Sequence, residues 1–227
     1  GRGCLMKVIS IANIKGGCGK TTSAALLCSG LHAQGHRVGL IDCDALSPLF
    51  DWSREAGLRS AKAVQASRPN DLMKHIGELQ PQVDYLLVDL SGSSEIMNAI
   101  AFAMSDLVLI PMQASAIDAR GAKRTIGLMQ RVMENQRSLV AACLVLTRIT
   151  SPMVRNALRH STQITEDFGV PLLSSPILER TAFRDMFSIR TDLMSSEEES
   201  LCYLSQARED IHSLTSAVAL HLQRKGA

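Results

Sequence analysis

Short apolar runs alternate with longer amphipathic stretches along the chain. The runs cover residues 6–12, 37–43, 84–90, 106–111 and 139–147. They are apolar at consecutive positions rather than at every second one. That suits strands of a parallel sheet covered on both faces. The stretches between them carry helical spacing: 21–34, ended by Gly35; 70–79, with Asn70 as candidate cap and Pro81 beyond its end; 95–104; 115–136; 152–168; and 196–223, with three Glu in its first turn favouring the helix dipole. Residues 47–57, which hold the only Trp, Trp52, read as a short helix or loop. Residues 172–177 read as a short or extended strand, 179–189 as a short helix, and 60–69 give no clear pattern. Strand and helix in alternation predict a doubly wound α/β fold, a mostly parallel sheet flanked by helices with right-handed crossovers. Its ligands belong at the carboxyl ends of the strands. One domain is expected over 6–227, with residues 1–5 as extra N-terminal residues that lack the apolar region of a signal peptide.

The first strand–helix junction reads Lys15-Gly16-Gly17-Cys18-Gly19-Lys20-Thr21-Thr22. Strand, glycine-rich loop and helix are the setting of a phosphate-binding loop, in which backbone N–H groups and a helix N-terminus face the phosphates. Gly16, Gly17, Cys18, Gly19, Lys20, Thr21 and Thr22 are the candidate nucleotide-binding residues. Lys20 is placed to reach the terminal phosphates, and Thr21 to offer its hydroxyl to Mg²⁺. The common pattern G-x-x-x-x-G-K-[ST] wants a glycine where this chain has Ile14. A second lysine, Lys15, stands directly before the glycine pair instead.

Two acidic positions follow at strand ends. Asp42-Cys43-Asp44 closes the second apolar run, and Asp89 closes the third. Phosphoryl transfer needs positioning and charge neutralisation more than covalent help. A carboxylate near a phosphate loop supplies a Mg²⁺ ligand, so Thr21 and Asp89 are candidate metal residues. No residue stands out as a covalent nucleophile.

The pattern K-G-G-x-G-K-T-T is the deviant Walker A motif, and here the chain resembles the ParA/MinD family of P-loop ATPases. The resemblance extends through Asp42 to Asp44, Asp89, residues 105–111, residues 115–118, Thr147-Arg148-Ile149 and residues 175–180. It is closest to small plasmid-partition ParA proteins and to VirC-type ParA-like proteins that promote T-DNA transfer. The resemblance implies ATP and Mg²⁺ as cofactors, and ATP hydrolysis. It also implies an ATP-dependent homodimer in which Lys15 reaches the partner's nucleotide, and Asp44 orienting water and helping Thr21 and Asp89 to hold Mg²⁺, so that Lys15, Lys20 and Asp44 are the catalytic candidates. A ParB-like or relaxosome partner protein and non-specific DNA binding complete the set. The family usually continues its acidic motif with Pro-Gln, whereas this chain has Ala45-Leu46 and reaches a proline only at Pro48.

Charge adds one feature. The net charge is +2, yet residues 120–190 hold eleven Lys and Arg against five Asp and Glu. Such asymmetry suits a polyanion. Arg155 and Arg159 are four apart, as are Arg180 and Arg184, with Arg190 following; these five are the candidate DNA contacts. Phosphate contact and steep salt dependence are expected there rather than base stacking. Arg120, Lys123 and Arg124 cluster on the long helix.

Other compositions are set aside. The six Cys form no CxxC pair and fit a reducing cytoplasm. Cys18, in the loop, is read as a tolerated small side chain rather than a redox group. Cys143 and Cys202 lack the setting of a cluster site, which argues against a nitrogenase-iron-protein relative. No apolar run nears 18 residues. The last residues make a poor basic amphipathic anchor, so no membrane association of the MinD kind is expected, and a cytoplasmic, nucleoid- or plasmid-associated location is. The six His read as surface residues.

Overall fold

A computed structural model describes residues 6–58, 61–136, 140–197 and 201–223. Seven strands form one parallel sheet: β1 (Lys7–Ile11), β2 (Val38–Asp42), β3 (Lys62–Gln65), β4 (Tyr85–Asp89), β5 (Leu107–Met112), β6 (Ala141–Ile149) and β7 (Ile177–Leu178). Their order across the sheet is β3-β2-β4-β1-β5-β6-β7. The order reverses beside β1, the switch point at which open α/β sheets hold ligands. Register sets the heights there. Ile11 of β1 and Asp42 of β2 both lie opposite Asp89 of β4. The loop after β1 and the two acidic strand ends therefore open at one level.

The helices are α1 (Lys20–Ala33), α2 (Pro48–Glu55), α3 (Pro69–Leu79), α4 (Glu95–Ala103), α5 (Ala116–Gln136), α6 (Val154–Phe168), α7 (Thr181–Ser188) and α8 (Leu204–Gln223). One apolar layer joins α3, α4, α5 and α6 to the sheet, with Leu72, Phe102, Ile126 and Ile164 in it. The other joins α1, α2, α7 and α8, with Leu27, Trp52, Phe183 and Ile211. Sheet positions alternate between the layers: Ile41, Leu86 and Val88 face the first, Leu40 and Leu87 the second. The consecutive apolar runs are thus strands buried on both faces, as expected.

Several expected boundaries move. Arg68, not Asn70, occupies the cap position of α3; Pro69 stands at its first turn, where a fixed φ and a missing N–H cost nothing. Residues 62–65 of the unassigned stretch form β3, an edge strand whose half-exposed side chains explain its weak apolar signal. Ser60 lies outside the described residues. Arg180 occupies the cap position of α7 rather than lying within it. The closing helix begins at Leu204, not Ser196, and no acidic residue lies in its first turn. The preceding segment is tied otherwise: Asp192 accepts from the N–H groups of Met194 and Ser195, and Arg208 donates to the carbonyls of Leu193 and Ser196. Glu198 and Glu199 of the expected acidic turn lie outside the described residues, as do the C-terminal residues 224–227 that bear on membrane anchoring.

The phosphate-loop helix is locked at Gly30, where α8 crosses α1. A Cβ there would come 2.0 Å from Thr215 Oγ1, a hydroxyl already donating to the Ile211 carbonyl. Gly30→Ala gains helix propensity of about 1 kcal/mol but forces two buried helices apart, an overpacking cost of about 1–3 kcal/mol. The expected result is a lowered urea midpoint with an unchanged slope; an unchanged midpoint would show that α8 yields freely.

Candidate nucleotide-binding site

The loop leaves β1 through Asn13, which is 4% exposed and ties two elements. Its amide donates to the Pro111 carbonyl at the end of β5 (2.8 Å), and its Oδ1 accepts from the Lys15 N–H (2.9 Å). Gly17 and Gly19 then take left-handed φ of +74° and +93°, the freedom glycine supplies. Gly19 is the cap residue of α1, so the helix N-terminus opens onto the loop. The Lys20 ammonium folds back over the loop and donates to the carbonyls of Asn13 (2.9 Å) and Lys15 (3.0 Å).

Cys18 is fully buried, and its thiol donates to the Lys15 carbonyl (3.3 Å). Burial pushes this thiol above its ordinary pKa, outweighing the nearby Lys20 ammonium. Cys18 is therefore a protonated packing residue, in keeping with its small size and apolar character.

The acidic strand ends divide their work. Thr21 donates its hydroxyl to Asp89 Oδ2 (2.7 Å) and lies 3.0 Å from Ser91 Oγ. The other Asp89 oxygen accepts from the N–H and hydroxyl of Ser91. Burial raises the Asp89 pKa, and the hydrogen bonds from Ser91 and Thr21 oppose it. A cation near Thr21 would find a carboxylate already paired with its hydroxyl ligand, so this pair fits Mg²⁺. Asp42 is buried and accepts from the N–H groups of Asp44 (2.9 Å), Leu49 (2.8 Å) and Phe50 (3.0 Å). It holds the start of α2 and turns the chain so that Asp44 projects outward. Asp44 is half-buried, accepts from the Leu46 N–H (2.9 Å), and lies against Gly92 of the loop after β4.

Lys15 does not point into its own loop. Its ammonium forms an ion pair with Asp118 of α5 (2.8 Å). The Asp118 side chain is 3% exposed; it also accepts from the hydroxyl of Ser115, which caps α5 by accepting from the Asp118 N–H. Helix and loop touch closely there, since a Cβ on Gly121 would stand 2.6 Å from Asn13 Oδ1 and 2.7 Å from Lys15 Cβ. In front of the loop lies a hollow of about 560 Å³, lined by Asn13, Gly16, Lys20, Gly92, Asn98 and Arg124 among others. Beside Gly19 and Thr22 a narrower crevice runs between Thr147, Arg148, Ile177 and Glu179.

The five arginines expected on DNA part company. Arg180 pairs with Asp210, Arg184 with Glu179 (3.3 Å) and Arg190 with Glu55. Arg180 and Arg184 also line the crevice beside Gly19 and Thr22. Arg155 and Arg159 are exposed on α6 and make no ion pair among the described residues. Asn13, Gln113, Asp118 and Thr147 join the site without any role that sequence alone suggests for them. Residues 115–118 and 147–149 belong to the family resemblance, but the motif assigns no task to Asp118 or Thr147.

A seven-stranded parallel sheet, a loop with two lysines around a glycine pair, and carboxylates at two neighbouring strand ends define a P-loop protein with a deviant Walker A site. Known proteins agree. The family model described as VirC1 protein matches residues 6–219. The chain is 30% identical to the virC1 protein of Rhizobium rhizogenes over 189 residues, covering 80% of each chain. It is 34% identical over 183 residues to the maintenance of carboxysome distribution protein A of Halothiobacillus neapolitanus, covering 78% of this chain and 82% of that one. It is 29% identical over 198 residues to ParA of Rhizobium radiobacter, covering 86% and 88%. Among solved structures, an ATP complex of a Cyanothece McdA variant superposes with TM-score 0.69 at 16% identity, covering 96% of this chain and 98% of that one. Cobyrinic acid a,c-diamide synthase from Mycobacterium smegmatis, with bound ADP and magnesium, gives 0.69 at 17%, covering 97% and 96%. The chain belongs to the VirC1 family of ParA/MinD-type proteins. No described helix is long and apolar enough to cross a membrane.

Proposed function

We propose that this chain is a Mg²⁺-dependent ATPase whose ATP-bound form dimerises and holds DNA, and that a partner protein resets it by stimulating hydrolysis. The observation that carries the reading is Lys15. Its side chain is half-buried, and its ammonium is joined to Asp118 of α5 and not to its own phosphate cradle. A lysine so placed serves a nucleotide approaching from outside, as on a second copy. Lys20 and the loop N–H groups bind the phosphates in cis, Thr21 and Asp89 hold the metal, and Asp44 orients water. When bound, Mg²⁺ supplies charge neutralisation at the transferring phosphate. The VirC1 family match over residues 6–219 supports a role in DNA transfer, with recruitment of a relaxosome, ahead of plasmid segregation with a ParB-like partner. Either role places the protein in the cytoplasm, on a plasmid or nucleoid.

Within the basic block, Arg155 and Arg159 form the open pair. Arg190 is tied to Glu55, and replacing Arg180 and Arg184 would disturb the crevice beside the loop as well as any DNA contact. The test is duplex binding with ADP and with a slowly hydrolysed ATP analogue across a salt series. Tighter binding with the analogue, falling steeply with salt, is expected. Arg155→Glu with Arg159→Glu should weaken it by about tenfold or more at low salt and reduce the salt slope by about 2, one for each phosphate no longer neutralised. ATP affinity should stay unchanged. Equal DNA affinity would move the surface elsewhere.

One observation favours a second occupant of α6. Met153, Val154 and Leu158 are 40–47% exposed beside the two arginines. Phosphates have no use for an apolar stripe, whereas a partner protein does. Leu158→Ser separates the two: it should leave DNA affinity intact and weaken partner-stimulated hydrolysis if the partner docks there.

A further inference from the structure

A phosphate-binding loop turns successive N–H groups inward, so the carbonyls of the same peptides must face outward and be satisfied there. Between Lys15 and Gly19 four such carbonyls have identified partners. The Lys15 carbonyl accepts from Lys20, and the Gly19 carbonyl from the hydroxyl of Ser23 (2.7 Å), both within the loop and its helix. The other two are held from far along the chain. Gln113, just after β5, donates its amide to the Gly17 carbonyl (2.7 Å). Thr147, near the end of β6, donates its hydroxyl to the Cys18 carbonyl (2.7 Å). Thr147 is 2% exposed, and a Cβ on Gly19 would stand 3.3 Å from Thr147 Cβ, so the loop rests directly on this side chain.

We propose that Gln113 and Thr147 are positioning residues for nucleotide: by fixing the carbonyls of Gly17 and Cys18 outward, they fix the N–H groups of Cys18 and Gly19 inward. The inference rests on the nucleotide-binding reading. The need arises from the glycines. With φ of +74° at Gly17, the peptide between Gly17 and Cys18 has little steric resistance to turning over. Turned over, it would present a carbonyl oxygen to a phosphate instead of a donor. Gln113 opposes that rotation at the first peptide, and Thr147 opposes it at the second. Both residues lie in loops or strand ends on the β5–β6 side of β1 and touch no reacting atom.

Fluorescently labelled ADP with magnesium, titrated into the full chain, tests this. Gln113→Glu keeps size and shape but replaces the donor with an acceptor that repels the Gly17 carbonyl. Thr147→Val keeps the packing and deletes the hydroxyl, and Thr147→Ser restores it. Affinity should fall about tenfold or more for Gln113→Glu and about tenfold for Thr147→Val, with Thr147→Ser within about twofold of the starting chain. Under steady-state ATP hydrolysis the loss should appear in KM more than in kcat. Wild-type affinity in both Gln113→Glu and Thr147→Val overturns the proposal. So does a loss that Thr147→Ser fails to rescue, since that would mark Thr147 as packing alone. Failure of the unaltered chain to bind labelled ADP would overturn the nucleotide reading itself, and this inference with it.

Discussion

Lys20→Ala should abolish nucleotide binding, with affinity for magnesium ADP falling by at least about a hundredfold. The magnitude comes from two sources. A lysine–phosphate contact is a charge-assisted hydrogen bond, worth about 1.5–3 kcal/mol before any loss of order in the loop. The second source is internal. Lys20 is 6% exposed and donates to the carbonyls of Asn13 and Lys15, the two residues flanking Ile14. Its removal leaves both acceptors without this donor and the loop without its central tie, so the N–H array loses shape as well as charge. A modest fall in melting temperature should accompany the loss. The decisive comparison is with Thr21→Val, which spares the loop carbonyls but takes the hydroxyl from Asp89. That variant should retain much of its ADP affinity and lose its response to magnesium. A Lys20→Ala variant that binds within about tenfold of the parent chain would remove Lys20 from phosphate contact.

The contrast between Lys20 and its neighbours shows what the sequence makes legible. The loop, Asp42, Asp44 and Asp89 can be read directly, because phosphate and Mg²⁺ chemistry confines a few residue types to positions just after apolar runs. The sheet is legible for the same reason: strands buried on both faces cannot hide their apolar character. The residues that hold the site in shape are not. Gln113 and Thr147 reach Gly17 and Cys18 from strands that only the fold brings alongside, and glutamine and threonine are too common after strands to signal a role. Asp118 pairs with Ser115 at the start of α5, a contact that local sequence explains without any reference to Lys15. Helical spacing finds the arginine pairs but cannot see Asp210, Glu179 or Glu55 across from three of the five arginines. The late start of α8 is hidden for a similar reason: the tie from Arg208 to the carbonyls of Leu193 and Ser196 outweighs any local preference of the acidic run.

The pairing of Lys15 with Asp118 sets up the second large expected effect, one with opposite signs at its two ends. Lys15→Ala should keep nucleotide binding but lose ATP-dependent dimerisation and hydrolysis, because the proposed function gives the phosphate contacts in cis to Lys20 and the N–H groups. Asp118→Asn should act the other way. A lysine held by a carboxylate that is 3% exposed must leave it before it can serve a second copy, so the ion pair competes with dimerisation. Asp118→Asn still leaves an acceptor for Ser115, so the cap of α5 survives while the charge is lost. Dimerisation with a slowly hydrolysed ATP analogue should tighten by about tenfold, since each of the two copies gives up one partly exposed ion pair worth about 0.2–1 kcal/mol. Sedimentation across protein concentrations reads it directly. Lys15→Ala alone is ambiguous on stability, because it strands a buried carboxylate, which costs about 3–5 kcal/mol unless a proton neutralises it. The double variant Lys15→Ala with Asp118→Asn removes that ambiguity: it should recover stability yet remain monomeric with the analogue. If it dimerises, Lys15 does not act across the interface. If Asp118→Asn alone weakens the dimer, the carboxylate orients Lys15 toward its target rather than holding it back.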